Sequence, residues 1–236
     1  KRNPNYQVTI YEKNTSITLE KGYGIQISAN CIKFLNEIGF EKLNNEEKFT
    51  PKKINFYSKI NTNKICELNI SDFNSDKCKY TTLRRSTLVN FLKRDLEDAI
   101  KTGYDISKID KDDKQIRLLF ENNEIKQCDH LIISDGVFSK SKSLILNKKI
   151  KPKYNDTLAI RGILNKAPNN IDNQNISLFL GSDFHHVIYP VNPSGDLNFI
   201  AIMKYKLSIE EQKNYSQVND NSFIHDVLEK VPPEYK

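Results

Sequence analysis

An acidic residue followed by glycine, Asp135-Gly136, stands directly after a short apolar run, Leu131-Ile132-Ile133. The run is too short for a helix and predicts a strand buried on both faces, as in a parallel sheet. Ser139 predicts the cap of a following helix, and Lys140 and Lys142 add positive charge. Ligands of open α/β sheets bind beyond the carboxyl ends of strands, so this stretch predicts a phosphate or ribose site. An ordinary Asp-Gly turn is the alternative.

Two further charged residues could contact a nucleotide. Glu12 ends a predicted strand, Gln7–Glu12, where an acid can accept hydrogen bonds from ribose hydroxyls. A solvated Glu12 beside Lys13 is the alternative. Arg84 and Arg85 stand at the start of a predicted helix. This is the positive end of the helix dipole, where a cation is unfavourable. An anion nearby would remove this mismatch, so Arg85 is a phosphate-contact candidate, with two solvated arginines as the alternative.

Glycines of another stretch could bring the backbone close to a ligand. Gly22-Tyr-Gly24-Ile25 predicts a flexible loop, although its spacing is not that of a GxGxxG fingerprint. A helix then begins at Ser28 and ends at Gly39, and its predicted apolar stripe is Phe34, Leu35 and Ile38.

Hydrophobic periodicity and turn residues predict the elements that position these residues. The clearest helix is Ser86–Thr102, and Ser222 predicts the cap of a last helix, Phe223–Val231. The predicted strands up to residue 128 are the hairpin Lys53–Ser58 with Lys64–Asn69, then Thr81–Leu83, then a meander of Tyr104–Ile109, Gln115–Glu121 and Glu124–Cys128. Beyond Lys148, four strands predict an antiparallel sheet: Leu158–Leu164, Ile176–Leu180, His185–Val191 and Leu197–Lys204.

Composition narrows the class of protein. The 236 residues carry a net charge of +6, but the lysines alternate with acids, which favours a solvated basic surface over a nucleic-acid groove. No apolar run is long enough to span a bilayer, and the opening KRNPNYQVTIYEK is not typical of a signal peptide. The cysteines are Cys31, Cys66, Cys78 and Cys128; none forms a CxxC pair, which predicts reduced thiols in a cytoplasmic protein.

No metal site or nucleophilic triad is predicted. His185 and His186 are adjacent on a predicted strand, and neighbours on a strand point to opposite faces. They therefore cannot chelate one ion together. No catalytic residue can be assigned from the sequence.

The order of these motifs resembles that of the FAD-dependent aromatic hydroxylases, the single-component flavoprotein monooxygenases that include salicylate hydroxylase-like and ubiquinone-biosynthesis hydroxylases. The stretches that carry the resemblance are VTIYEK at Val8–Lys13, GYGIQISANCIKFLNEIGF at Gly22–Phe40, RRSTLVNFL at Arg84–Leu92 and DHLIISDGVFSKSK at Asp129–Lys142. Ile160-Arg161-Gly162 and FLGSDFHHVIYPV at Phe179–Val191 are a looser match, to the substrate-domain sheet of the salicylate hydroxylase-like branch.

The resemblance implies an α/β fold: an incomplete Rossmann-like FAD-binding parallel sheet with a β-meander, plus an antiparallel substrate domain. Residues 1–150 would form the partial FAD-binding domain, with a hairpin insertion at about 51–70. Residues 151–236 would form the substrate sheet and the start of a helical segment, and the boundary is expected near Ile150–Asp156. The family's GxGxxG and GD motifs are not present, so an internal fragment that binds FAD poorly is expected.

The resemblance also implies a reaction. NAD(P)H reduces FAD, and a flavin C4a-hydroperoxide formed with O₂ hydroxylates a small aromatic substrate. The implied cofactor-binding residues are Glu12, Lys13, Gly24, Ile25, Arg85, Asp135 and Gly136. The implied substrate-side candidates are Gln26, Arg161, His186 and Tyr189, and Arg161 could hold a substrate carboxylate with two hydrogen bonds.

Other functions stay open at this point. A ubiquinone-pathway hydroxylase, which would allow peripheral membrane association without insertion, or a related flavin reductase is one alternative. A non-catalytic basic module that binds nucleotides or nucleic acid is another. The oligomeric state is not predicted.

Overall fold

The computed structural model describes residues 3, 5–17, 23–112, 114–166, 172–213 and 220–230. Its strands are β1 (Ile10–Glu12), β2 (Gly24–Ile27), β3 (Lys48–Phe49), β4 (Lys53–Ser58), β5 (Lys64–Asn69), β6 (Thr81–Arg84), β7 (Ile100–Thr102), β8 (Ile106–Lys111), β9 (Ile116–Phe120), β10 (Ile125–Cys128), β11 (Thr157–Leu164), β12 (Ile176–Leu180), β13 (Phe184–Pro190) and β14 (Leu197–Lys204). Its α-helices are α1 (Ala29–Asn36), α2 (Arg85–Lys93), α3 (Lys140–Ile145), α4 (Ile209–Lys213) and α5 (Asn221–Lys230).

The chain divides into two compact units, each made of two separated segments. The first unit comprises the described residues of Lys1–Leu19 and Leu92–Lys153, and the second comprises those of Glu20–Phe91 and Tyr154–Lys236. One division, Lys153–Tyr154, lies within the expected boundary region. Residues 20–91, assigned by sequence to the first domain, cluster instead with the carboxyl-terminal segment.

The first unit contains a parallel pair, β1 with β7, and an antiparallel sheet in the order β10-β9-β8. Its apolar centre is an aromatic cluster. The ring of Phe120 lies 4.8 Å from that of Tyr11 and 5.0 Å from that of Tyr104, measured between centroids. The predicted meander is confirmed.

The second unit contains a six-stranded sheet, β11-β14-β13-β12-β4-β5, and a three-stranded sheet, β2-β6-β3. In the larger sheet β4 and β12 run parallel, and the other pairs are antiparallel. The predicted hairpin is confirmed, but it is the edge of this sheet rather than a separate insertion. The mixed α/β class, with parallel and antiparallel strands, is confirmed.

Three apolar clusters stabilise the second unit. The first lies on α1, α2, the smaller sheet and the turn after α1, and is formed by Ile27, Ile32, Phe40, Leu83 and Phe91. The second lies on one face of the larger sheet and contains Ile70, Ile176, Tyr189 and Val191. On the other face, Leu158, Phe184 and Met203 pack with Val227 of α5. Among the described residues, no helix is both long enough and apolar enough to cross a membrane.

The prediction of one helix over Ser86–Thr102 is wrong in its second half. The helix ends at Lys93, Asp95 has a left-handed φ of 64°, and Ile100–Thr102 pairs with β1 as a strand. The left-handed residue breaks the helical hydrogen-bond ladder. The backbone groups beyond it find partners in β1, so tertiary pairing overrides the helical spacing.

The prediction of a buried strand at Leu131-Ile132-Ile133 is also wrong. These residues form no ladder within the described chain, and the side chain of Ile132 is 89% exposed. An apolar run becomes a buried strand only where neighbouring strands pair with it, which the run itself cannot specify.

Smaller differences concern element ends and faces. The strand predicted at Gln7–Glu12 begins at Ile10. Of the predicted stripe, Leu35 packs against the core beside the buried Ile32, whereas Phe34 is 67% exposed. Ile38 lies beyond the end of α1 and is 52% exposed. Gly22, and Val231 at the end of the predicted last helix, lie outside the described residues.

Candidate functional site

The Asp-Gly turn lies on a shallow groove in the first unit. The groove has a volume of about 430 Å³ and is lined by Ile133, Asp135, Gly136, Ser139, Lys142, Ile145 and Leu146. Gly136 has a φ of 80°, and a Cβ atom built there would have no atom of the described chain within 4 Å. The backbone turn therefore favours glycine, and the space beside it is open to a ligand.

Asp135 is fixed at the start of α3. Its Oδ2 accepts a hydrogen bond from the Ser141 amide at 3.0 Å, and Ser139 Oγ accepts one from the Lys142 amide at 3.0 Å. Burial raises the pKa of the Asp135 carboxyl, but hydrogen bonds from Ser139 and Ser141 outweigh burial and hold that pKa below its ordinary value. Near neutral pH the groove therefore holds an ionised carboxylate, which can accept hydrogen bonds from ligand hydroxyls.

The two lysines beside the turn have different surroundings. Lys140 Nζ lies 2.6 Å from Glu121 Oε1 and 3.4 Å from Asp105 Oδ2, so it ties α3 to the meander. Lys142 lines the groove, and no carboxylate of the described residues pairs with it. Its ammonium group is the one suited to an anionic ligand.

Glu12 ends β1, as predicted, but it does not line this groove. Its Oε1 accepts a hydrogen bond from the Asn14 amide at 2.9 Å, and its carbonyl oxygen accepts one from the Tyr104 amide at 3.0 Å. The carboxylate is half-buried, and Lys13 beside it is exposed.

Gly24 lies in a strand of the second unit and not in the predicted flexible loop. Its amide donates a hydrogen bond to Asn198 Oδ1 at 2.6 Å. A Cβ atom built on it would lie 2.6 Å from Asn198 Cβ and 2.9 Å from Tyr189 Cε2. The close approach of β2 to β13 and β14 therefore requires glycine here, without any ligand.

A polar cluster lies beside Gly24. The Tyr80 hydroxyl donates a hydrogen bond to Gln26 Oε1 at 2.6 Å. Burial raises the pKa of Tyr189 to about 12, against smaller opposing effects that include Gln26 and the charge of Arg161. Asn198 is fully buried, and its Nδ2 has no hydrogen-bond partner among the described residues. Three of the four predicted substrate-side residues are thus neighbours.

His186 is the fourth, and it lies on the opposite face of the sheet from Tyr189, because side chains alternate along β13. Its ring stacks on that of Phe179 at 4.3 Å between centroids, and Phe179 stacks on Tyr57 at 5.0 Å. Burial, with smaller contributions from Lys59 and His185, lowers the pKa of His186 to about 4. The imidazole is therefore neutral at physiological pH and packs as an aromatic ring.

Arg85 is the first residue of α2, where prediction placed a helix start. Its amide donates to the Tyr23 carbonyl oxygen at 2.8 Å, and its exposed guanidinium has no ion-pair partner among the described residues. Its neighbour Arg84 instead pairs with Asp196 Oδ2 at 2.8 Å. Ile25 packs against the cluster under the smaller sheet.

Sequence reasoning missed Tyr80, Asn198 and Asp196. Tyr80 follows a polar stretch without periodicity, Ser71–Lys79, and Asn198 is a polar interruption of an apolar strand. An asparagine inside a strand of Leu, Phe and Ile was the signal available, since such a residue is depleted in strands unless it has a specific partner.

Three side chains that could bind a metal ion lie close together on α5: those of His225, Asp226 and Glu229. All three are exposed, and exposed acidic groups of this kind are common without an ion. The group adds nothing to the sites described above.

No protein-family model matches the chain, and no curated protein matches its sequence. Solved structures do match its fold. The 2,6-dihydroxypyridine-3-hydroxylase from Arthrobacter nicotinovorans is 16% identical, with a TM-score of 0.70 over 86% of this chain and 51% of that chain. HpxO from Klebsiella pneumoniae, in complex with FAD and uric acid, is 15% identical, with a TM-score of 0.74 over 95% of this chain and 56% of that chain. CtdE in complex with FAD and a substrate is 13% identical, with a TM-score of 0.71 over 87% of this chain and 53% of that chain.

These similarities establish the fold. The chain spans about half the length of the solved proteins it matches.

Proposed function

We propose that this chain is part of an FAD-dependent monooxygenase that hydroxylates a small aromatic substrate with electrons from NADH or NADPH. The observation that carries the proposal is the shared fold: 86–95% of the chain matches hydroxylases and FAD complexes. Because the chain spans about half of those proteins, the activity is proposed for the whole protein to which these residues contribute.

The groove at Asp135-Gly136 fits a cofactor of this kind. It combines an open glycine turn, a carboxylate kept ionised and an unpaired lysine, Lys142. We propose that it receives part of the dinucleotide, with Asp135 accepting hydrogen bonds from hydroxyls and Lys142 facing a phosphate. Glu12 would bind ribose hydroxyls through its remaining carboxylate oxygen, with Lys13 beside it.

In the second unit, we propose that Arg85 binds a phosphate of the cofactor. It is exposed, it is unpaired among the described residues, and it stands at a helix start that an anion would stabilise. The packing against Asn198 already accounts for Gly24, so we assign it a close approach between strands rather than a contact with the cofactor.

Bound flavin would supply the redox chemistry that carries electrons from the nicotinamide to O₂ and one oxygen atom to the ring. The protein's own residues would bind and orient the substrate. Arg161 carries the exposed positive charge near Tyr189 and suits a substrate carboxylate. With a pKa of about 12, Tyr189 keeps its proton, so any role for its hydroxyl is hydrogen bonding rather than proton abstraction.

The test uses the whole protein, reconstituted with FAD. We expect a flavin absorption spectrum, NADH or NADPH oxidation that aromatic carboxylates accelerate, and transfer of one labelled atom from ¹⁸O₂ to the ring. Replacement of Arg161 by Gln should raise KM for carboxylated substrates more than for neutral analogues, because only the former lose an ion pair.

Two results would count against this function. NAD(P)H oxidation without any oxygenated product, across a panel of aromatic compounds, would favour a flavin reductase. Failure of the whole protein to take up FAD would remove the flavoenzyme interpretation altogether.

A further inference from the structure

One face of the larger sheet is closed at one end and open further along. At the closed end Tyr189 and Asn198, which pair directly across β13 and β14, are buried. Two residues away along each strand, Val187 and Ile200 pair in the same way and are half-buried. Arg161 of β11 pairs with Ile200 and is exposed. The face that carries Tyr189 therefore opens onto aliphatic side chains beside a guanidinium group.

His185 lies on this same face, one step further from the closed end. It pairs with Ile202 of β14. Because residues two apart in a strand point to the same side, His185 shares the face of Val187 and Tyr189, whereas His186 occupies the opposite one. The imidazole of His185 is half-buried and has no hydrogen-bond or ion-pair partner among the described residues. Its polar nitrogens are therefore available to a ligand on the open face.

The opposite face of these strands is already filled. Phe184 and Met203 pack there with Val227 of α5, and the ring of His186 stacks on that of Phe179. Of the two adjacent histidines, His186 therefore belongs to the packing of the sheet.

Arg161 and His185 lie at opposite sides of the open area. Strand β14 separates their strands, with Ile200 and Ile202 on the face between them. The spacing of strands and one two-residue step along a strand place their Cα atoms about 12 Å apart. Side chains of this length that reach inward leave room for one flat ring. The arrangement suits an apolar ring that carries a polar group at each end.

We propose that His185 binds the substrate at the end away from Arg161, through a hydrogen bond to a polar ring substituent such as a hydroxyl. This inference rests on the proposed function, because it takes the face of Arg161 as the substrate side. The guanidinium binds the carboxylate, Ile200 and Ile202 contact the ring, and the imidazole binds the second polar group. Neutral imidazole offers one N–H donor and one nitrogen acceptor, so it can pair with a hydroxyl in either direction.

The test is calorimetric titration of the whole protein with two probes, benzoate and 4-hydroxybenzoate. The probes differ only in a hydroxyl at the end of the ring opposite the carboxylate. The parent should bind 4-hydroxybenzoate about fivefold more tightly, which is the effect of one net hydrogen bond. His185→Phe should remove this preference by weakening 4-hydroxybenzoate alone, and unchanged benzoate binding would show that the variant is folded. His185→Gln, whose amide can replace the hydrogen bond, should keep part of the preference.

Two further variants test the two ends of the site separately. Arg161→Gln should weaken both probes to a similar extent, because both carry the carboxylate. His186→Phe is the matched control, since it changes the neighbouring histidine on the opposite face and keeps an aromatic ring there. It should leave both affinities unchanged.

Three results would overturn the proposal. The first is a parent protein without any preference for 4-hydroxybenzoate. The second is an equal loss of both probes in His185→Phe, which would indicate a structural role. The third is loss of the preference in His186→Phe. A failure of the proposed function would look different: if the whole protein took up no FAD but kept the preference that depends on His185, this binding site would stand and the monooxygenase assignment alone would fail.

Discussion

Gly24 shows that a glycine whose stretch predicts contact with a ligand can instead be required by packing between strands. Its stretch predicts a loop beside a cofactor, but the structure places its Cα against Asn198 and Tyr189. The glycine allows the smaller sheet of the second unit to approach the larger one, and a hydrogen bond from its amide to the Asn198 side chain fixes the contact.

Replacing Gly24 by Ala should therefore lower the free energy of unfolding by about 1–3 kcal/mol, even without cofactor, because the new methyl group overlaps Asn198 and Tyr189. Urea denaturation measures the change. The control is Gly103→Asn, at a φ of 77° with open space around it, which asparagine accepts. Equal stability of Gly24→Ala and the parent would disprove the packing explanation.

Arg85 allows a direct test of the cofactor assignment. Arg85→Ala should weaken FAD retention by the whole protein by roughly tenfold or more, because a charge-assisted hydrogen bond is lost. Lys101→Ala, which removes an exposed charge on β7, should leave retention unchanged. Fluorescence titration with FAD measures both, and identical affinities would remove Arg85 from the site.

His186 should make stability depend on pH. Its folded pKa of about 4 lies below the ordinary 6.5, so the unfolded chain binds a proton first as the pH falls. The stability due to the neutral imidazole is complete above about pH 6.5 and is lost progressively towards pH 4. His186→Phe should flatten this part of the stability profile, whereas Ile65→Ala, which removes no titratable group from the exposed strand β5, should not. If the stability of His186→Phe and of the parent changed with pH in the same way, the lowered pKa of His186 would be contradicted.

At the scale of elements, the sequence predicts helices and strands correctly where the local residue pattern agrees with the strand pairing in the structure. The hairpin β4–β5 and the strands β11–β14 are predicted to within one residue, because alternation and turn residues define each of them. The meander is predicted as well, but its first strand lies two residues further along the chain than predicted. The second half of the helix predicted over Ser86–Thr102 was wrong, because its apolar spacing does not reveal that β1 is available as a partner.

The candidate site was predicted only in part, for a similar reason. The turn at Asp135-Gly136 and the cap at Ser139 follow from local chemistry and were predicted. The buried contacts of Asn198 join residues far apart in the chain, and no local pattern encodes them. Tyr189 and His186 are three residues apart on β13 and therefore lie on opposite faces of the sheet. Which of these faces meets the smaller sheet depends on tertiary packing, which the strand's own pattern does not encode.

One ion pair joins elements of the second unit and should be worth more than a surface pair. Asp196 accepts from Arg84 at 2.8 Å and from Asn192 Nδ2 at 2.8 Å. Asp196→Ala removes the acceptor of Asn192 Nδ2 and leaves Arg84 only its longer hydrogen bond to Asn165 Oδ1 at 3.3 Å, so we expect a loss of about 1–2 kcal/mol in urea denaturation. The exposed Glu67→Ala on β5 should cost less, and the opposite order would contradict this ranking.

At the scale of the molecule, the larger sheet joins segments far apart in sequence. β12 pairs in parallel with β4, although β6 and the whole of Leu92–Lys153 lie between them in the chain. Ile176, only 2% exposed, stabilises this junction against Ile70, Tyr189 and Val191.

Ile176→Ala should therefore destabilise the second unit by about 2–5 kcal/mol, through lost burial and the cavity left behind. Hydrogen exchange should show amides of β4 and of β13 losing protection together, since both flank β12. Ile65→Ala, on the exposed edge strand β5, is the control and should have little effect. Loss of protection in β13 alone would show that the junction does not unite the sheet.

The pairing of β4 with β12 also has a consequence during synthesis on the ribosome. The hairpin emerges early, but its partner strand begins only at Ile176. At about 5–20 residues per second, the side of β4 that later pairs with β12 waits on the order of ten seconds for it. Throughout that interval the nascent protein presents an open strand that other chains, or a chaperone, can engage first.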